Sequence, residues 1–275
     1  MTDPAPLEVS PDGLLLTDRV AVVTGAAQGI GEAVALGLAR FGAHVAVCDR
    51  DADGLAATAA AIERSGREAV TAELDVRHPE PVAAFLEAVE QRFGHVDILV
   101  NNAGGGFYSP FVDVSPKGER ALVDENFTSV TNFTRGCVPL MGERGGSIVN
   151  VTSIEAHRAG PGFAVYSAMK AAVENLTRSL ALELAERRIR VNCIAPDMIP
   201  TPGDAGLSED AAATAEQGWS KTVWPDMGSV EDCAAAAVFL AGDFSRFLTG
   251  TTIHPDGGNL AASGWKRTTD GRFVL

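Results

Sequence analysis

Residues 19–31 read Arg-Val-Ala-Val-Val-Thr-Gly-Ala-Ala-Gln-Gly-Ile-Gly, and this stretch decides the fold. A short apolar, β-branched run from Arg19 to Thr24 meets glycines at 25, 29 and 31, and the helical pattern Glu32 to Phe41 follows. The order is strand, glycine turn, helix. Glycines placed there let backbone approach a pyrophosphate while the helix N-terminus points amides at it. The spacing is not the GxGxxG of the common dinucleotide fingerprint, and a glycine turn by itself also serves plain packing. Lying directly between a first strand and a first helix, it favours a nucleotide site.

Outward from this unit, apolar strands and amphipathic helices alternate. A second strand, His44 to Cys48, ends at Asp49, and a helix from Asp53 to Ser65 closes at Gly66. Ala69 to Leu74, the helix Pro79 to Phe93, Asp97 to Val100, a helix around Ala121 to Met141, and Ser147 to Val151 come next. A long helix from Phe163 to Arg188, then Ile189 to Ile194, the helix Glu231 to Ala241, and Thr251 to His254 complete the series. Seven strands separated by helices predict an α/β fold, one doubly wound parallel sheet covered on both faces (Rossmann-like), in a single domain of residues 19–256. Residues 1–18, with Pro4, Pro6 and Pro11, read as a mobile arm. Residues 196–228, rich in proline and glycine without a period, read as an active-site lid, and residues 257–275 as a tail that is mobile or packs on a neighbouring subunit.

Asp49 stands at the end of the second strand, 24 residues beyond Gly25, where a carboxylate accepts from an adenosine ribose diol; its alternative role is to start a turn. Arg50 beside it is a partner for a 2′-phosphate, and Gln28 lies just before the second glycine of the turn, so the pair sets NAD against NADP. The acidic residue is expected to win, making NAD the cofactor.

Composition removes other classes. With 22 basic and 36 acidic residues the formal net charge is −14, and no basic run marks a nucleic-acid or anionic-membrane partner. Cys48, Cys137, Cys193 and Cys233 are scattered without CxxC or His-Cys pairing, which fits reduced thiols and predicts neither disulfide nor metal. The start lacks the basic and apolar regions of a signal peptide, and no run approaches a membrane span, so a cytoplasmic location is expected.

Within the long helix, Tyr166-Ser-Ala-Met-Lys170 places a phenol and an ammonium on one face, about one turn apart. A fixed cation favours the phenolate and brings a group that titrates near ~10 toward working range. The spacing alone is common in amphipathic helices.

The assembled residues resemble the short-chain dehydrogenase/reductase family, in its classical branch, over about residues 17–260. The carriers are Thr24-Gly25-Ala-Ala-Gln28-Gly29-Ile30-Gly31, the stretch Asn101-Asn102-Ala103-Gly104, Ser153 thirteen residues before Tyr166, and Tyr166-xxx-Lys170. The resemblance implies Asn126 as a fourth catalytic position and Asp75-Val76 as an adenine contact. It implies that Tyr166 exchanges a proton with the substrate oxygen while a hydride moves to or from the nicotinamide, that Ser153 holds that oxygen, that Lys170 binds the ribose and biases Tyr166, and that Asn126 seats a water reaching Lys170. It also implies a homotetramer. One departure stands out: the family shows Pro-Gly and then a Thr after the sixth strand, whereas Pro196 is followed here by Asp197, with Thr201 at the Thr position. Asp197 faces either solvent or the site, and in the site it would disfavour anionic substrates.

Expected pocket residues are Phe107 and Tyr108, Glu155 and His157, Phe163, and Trp219, Trp224 and Met227. Aromatics there suit a bulky, largely apolar secondary alcohol or ketone, cyclic or steroid-like ones included; alternatively the tryptophans pack the lid on the protein. Glu155 and His157 either orient a polar substituent or sit in solvent. The leading reading is an NAD-dependent alcohol dehydrogenase or ketone reductase. Its rivals are an NADP-dependent ketoacyl-type reductase and a non-catalytic nucleotide-binding regulator.

Overall fold

The computed structural model describes residues 9–204, 220 and 222–274. Seven parallel strands form one sheet: β1 (Val20–Thr24), β2 (His44–Asp49), β3 (Ala69–Glu73), β4 (Ile98–Asn101), β5 (Gly146–Val151), β6 (Ile189–Ile194) and β7 (Thr252–Ile253). Their spatial order is β3-β2-β1-β4-β5-β6-β7, so the winding direction reverses between β1 and β4. In such sheets the crevice at the reversal, beyond the strands' C-terminal ends, is where ligands bind. The register pairs Val20 with His44 and Ala21 with Ile98, which brings the ends of β1, β2 and β4 together at that edge.

The central strands are largely apolar because both faces are covered. From β1, Ala21 and Val23 pack with Val34 and Leu38 of α1 (Gly29–Arg40) and with Ala237 and Val238 of a later helix, Val230–Ala241. Val20 and Val22, on the opposite face, join Phe85 and Val89 of the helix Pro79–Phe93 and Phe133 of the helix Ser129–Cys137. Alternate residues of a strand point to opposite faces, so one pentapeptide serves both cores.

With the helices numbered along the chain, α2 is Ala52–Arg64, α3 Pro79–Phe93, α4 Pro116–Val123, α5 Ser129–Cys137, α6 Ala164–Glu183, α7 Val230–Ala241 and α8 Asn259–Ala262. Asp51 caps α2 by accepting from the Gly54 amide, and Ser229 and Asp232 form a capping box on α7. The helix expected around Ala121 to Met141 is interrupted. A π-helical turn, Asp124–Thr128, joins α4 to α5 and holds Asn126. Such wide turns widen a helix locally and recur at functional sites, and periodicity does not reveal them. α6 stops at Glu183, short of Arg188, whose φ of 56° is left-handed.

The two ends of the chain differ from expectation. Leu16 is fully buried in the α1 side of the core, so the arm is anchored before residue 18. The tail folds back on its own chain as α8 and an antiparallel hairpin of β8 (Lys266–Arg267) and β9 (Phe273–Val274). Ser220 donates its amide to the Arg267 carbonyl at 2.8 Å, and Trp224 donates to Gly257 at 2.9 Å.

Candidate active site

Gly25 and Gly29 adopt left-handed φ of 66° and 63°, and a Cβ on Gly31 would collide with the Gly25 carbonyl oxygen. Only glycine permits this tight passage from β1 into α1. Gln28 caps α1 without a side-chain bond, leaving the helix's N-terminal turn to face the crevice. Thr24 and Asn102 fasten the turn: Thr24 Oγ1 accepts from the amides of Asn102 and Ala103 at 3.0 and 2.9 Å, and Asn102 Nδ2 donates to the carbonyls of Thr24 and Gly25. Asn102 is thus a brace for the turn. Thr201 lies against Gly29, 3.4 Å from where its Cβ would be. The shape and exposed amides fit a dinucleotide pyrophosphate.

Asp49 Oδ2 accepts from the Ala27 amide at 3.0 Å, and Oδ1 from Arg50 N at 2.7 Å, fixing the carboxylate beside the turn. Asp75 is paired with Arg77, whose Nε donates to both carboxylate oxygens, at 2.9 and 3.0 Å. That pairing draws the Asp75 carboxyl down to about 2. Val76 is buried among the apolar residues of the α3 side.

Lys170, at 5% exposure, donates to the Val151 carbonyl at the end of β5, 3.0 Å away. Its Nζ is 5.5 Å from the centre of the Tyr166 ring. Burial pushes the ammonium down to about 8, and Glu125 acts in the opposite direction. Asn126 is fully buried and clamps Gly105 from both sides, Nδ2 donating to the Gly105 carbonyl at 2.8 Å and Oδ1 accepting from its amide at 3.2 Å. The side chain that the resemblance assigns to seating a water also fastens the Gly104-Gly105 wall. Ser153 Oγ accepts from the Glu155 amide at 3.2 Å, and Ile154 donates to the Pro196 carbonyl, so the serine turn is tied to the end of β6.

A family model described as enoyl-(acyl carrier protein) reductase matches residues 25–259. The 3beta-hydroxysteroid dehydrogenase 1 of Eggerthella lenta is 39% identical over 259 residues, 91% of this chain and 97% of the relative. The chain is a classical short-chain dehydrogenase/reductase. Within the family, carveol dehydrogenase of Mycobacterium avium, solved with NAD, superposes with a TM-score of 0.84 at 29% identity, covering 90% of this chain and 99% of that one. A gluconate 5-dehydrogenase of Burkholderia cenocepacia, solved with NADP and tartrate, gives 0.84 at 34% identity, covering 92% and 98%.

Around this dehydrogenase site the 104–110 loop leans on Tyr166. A Cβ on Gly106 would stand 3.3 Å from the Tyr166 ring, Tyr108 meets Phe163 edge-on at 5.8 Å, and Phe163 meets Tyr166 at 6.4 Å. Phe107, Tyr108, Trp224 and Met227 remain exposed, Tyr108 and Trp224 by about two thirds (66% and 65%). Trp219 lies outside the described residues, as do residues 205–218 and 221 of the expected lid.

Glu155, His157 and Asp197 are engaged by the protein rather than by solvent. Arg158 donates to Glu155 Oε1 through Nε and a terminal nitrogen, at 3.1 and 3.0 Å, and reaches Asp197 at 3.2 Å. Asp197, its side chain only 10% exposed, also accepts from Asn259 Nδ2 at 2.8 Å. Asn259 Oδ1 in turn accepts from the Val223 amide. The departure from Pro-Gly therefore buckles the Ser153 turn to the tail. His157 is turned toward Glu174 of α6, at 3.3 Å, and its Nε2 meets His254 Nε2 at 3.1 Å. Burial, and then the neighbouring His157, lower the pKa of His254. Arg77, Arg158, Asn259 and Glu125 escaped the sequence reading because each acts on a partner remote in sequence or lacks a motif.

Proposed function

We propose that this enzyme interconverts a bulky, largely apolar secondary alcohol and its ketone with NAD as cofactor. The observation that carries the reading is the Tyr166-Lys170 face beside the glycine cradle. A nicotinamide cofactor bound there supplies the hydride donor or acceptor. Tyr166 moves the proton at the substrate oxygen, and Ser153 donates a hydrogen bond to the same atom. Lys170 favours the phenolate, because a cation in a low-dielectric setting stabilises a nearby anion strongly. Asn126 keeps the Gly104-Gly105 wall in place against Lys170.

Several observations support the finer assignments. Asp49, fixed by the Ala27 amide, is a ribose-diol acceptor and a charge that repels a 2′-phosphate. The aromatic group Tyr108, Phe163 and Tyr166 and the exposed Trp224 suit an apolar ring system. The names of the hydroxysteroid and carveol dehydrogenases agree with such a substrate. Arg50 beside Asp49 favours the second reading, an NADP-linked reductase, and a neighbour holds NADP. A cytoplasmic homotetramer is part of the proposal; the four buried free cysteines support a reducing compartment, and a light-scattering mass checks the assembly.

Absorbance at 340 nm with a panel of cyclic and steroidal alcohols, run with each cofactor, tests the reading. NAD is expected to exceed NADP in kcat/KM by at least ~10², because a dianion beside Asp49 is poorly compensated. Asp49→Ala should narrow the gap. A wild-type preference for NADP would overturn the cofactor assignment.

A further inference from the structure

Past the end of β2, Arg50 reaches across to the π-helical turn, where its guanidinium pairs with Glu125 Oε1 at 3.5 Å. The two come from separate elements, 75 residues apart in sequence. Glu125 is largely sheltered, its side chain 21% exposed against 61% for Arg50, so the carboxylate is the fixed member and the arginine the one drawn in. The other charges nearby are already matched: Asp75 is held by Arg77, whose guanidinium is further supported by Glu125 and Asp124. Asp49 takes its hydrogen bonds from backbone amides.

The one cation adjacent in sequence to Asp49 is therefore committed to an acid on another element. We infer that Glu125 is a cofactor-selecting residue: it occupies Arg50 and so withholds from a 2′-phosphate the guanidinium that would otherwise pair with it. This rests on the reading of Asp49 as the ribose contact. An NADP-type ligand would have to break the Arg50-Glu125 pair and leave Glu125 as a second nearby negative charge, whereas NAD makes no such demand. An exposed ion pair alone shifts an affinity by up to about fivefold, and the added like-charge repulsion brings the expected total to about tenfold.

Direct binding of NADPH and NADH, followed by nicotinamide fluorescence on the full chain, tests this without turnover. Glu125→Gln, which keeps the side chain's shape, should tighten NADPH about tenfold and leave NADH within about threefold. Arg50→Ala should barely alter NADPH binding in the wild-type background and should cut the gain in the Glu125→Gln background from about tenfold to about twofold, the share due to relieved repulsion. Glu125→Thr serves as the second variant if the first melts early. No tightening of NADPH, equal tightening of NADH, or a gain undiminished by loss of Arg50 would each overturn the inference. The wild-type ratio of the two affinities tests the NAD reading separately, since the change on substitution is measured whichever cofactor starts ahead.

Discussion

The Lys170 ammonium lies 5.5 Å from the centre of the Tyr166 ring, and the Val151 carbonyl is its acceptor at 3.0 Å. Placing this charge inside the protein opposes folding. Its folded pKa of about 8 is below its ordinary value, so the unfolded chain binds the proton more tightly. The penalty is in full force below about pH 8 and is relieved as the pH rises from there toward the unfolded value near ~10.5. Lys170→Met should therefore be at least as stable as wild type at pH 7 while losing activity, and its advantage should shrink by pH 10. Denaturant melts at both pH values check this; an advantage that grows with pH would reverse the sign.

Asp75 is the opposite case. Its carboxyl is held down at about 2 by Arg77, so its contribution is present above the ordinary carboxylate range and lost as the pH falls through about 2. Asp75→Asn should cost about 1–2 kcal/mol at pH 7, with partial exposure keeping it below the ideal linkage value, and the difference should fade in acid. Calorimetry of the two proteins measures it. Loss of NADH affinity without loss of stability would instead make Asp75 chiefly the adenine contact that the resemblance implies.

Asp197 joins Arg158 on the Ser153 turn to Asn259 in the tail. Asp197→Gly, which restores the family's usual residue, should release both partners and raise the substrate KM several-fold, with NADH affinity unchanged. Hydrogen exchange should quicken across residues 257–262. If those amides keep their protection, the buckle does not hold the tail. Removal of residues 257–275 should then depress activity more than it lowers the melting temperature.

Much of this arrangement was legible because local pattern and global packing agree. The run Val20–Thr24, the glycines at 25, 29 and 31, and the helix carrying Tyr166 and Lys170 each follow from periodicity and turn chemistry. What periodicity does not encode was missed. The π-helical turn at Asn126 keeps the same residue types as an α-helix, and the clamp of Asn126 on Gly105 has no signal in the sequence. Glu155 and His157 were expected beside the substrate by nearness to Ser153, and the partners that orient them, Arg158 three residues on and Glu174 of α6, carry no motif. The tail showed no strong core signal, since backbone bonds at Ser220 and Trp224 and the Asn259 side chain on Asp197 help to fasten it.

Tyr166→Phe tests the central claim most directly, because it removes the proton-carrying oxygen and retains the ring that Phe163 and Lys170 pack against. Turnover of the best alcohol from the panel is measured beside NADH affinity. The expected result is a fall in kcat of at least ~10², with NADH binding within a few-fold of wild type. A variant that turns over at the wild-type rate would contradict the account.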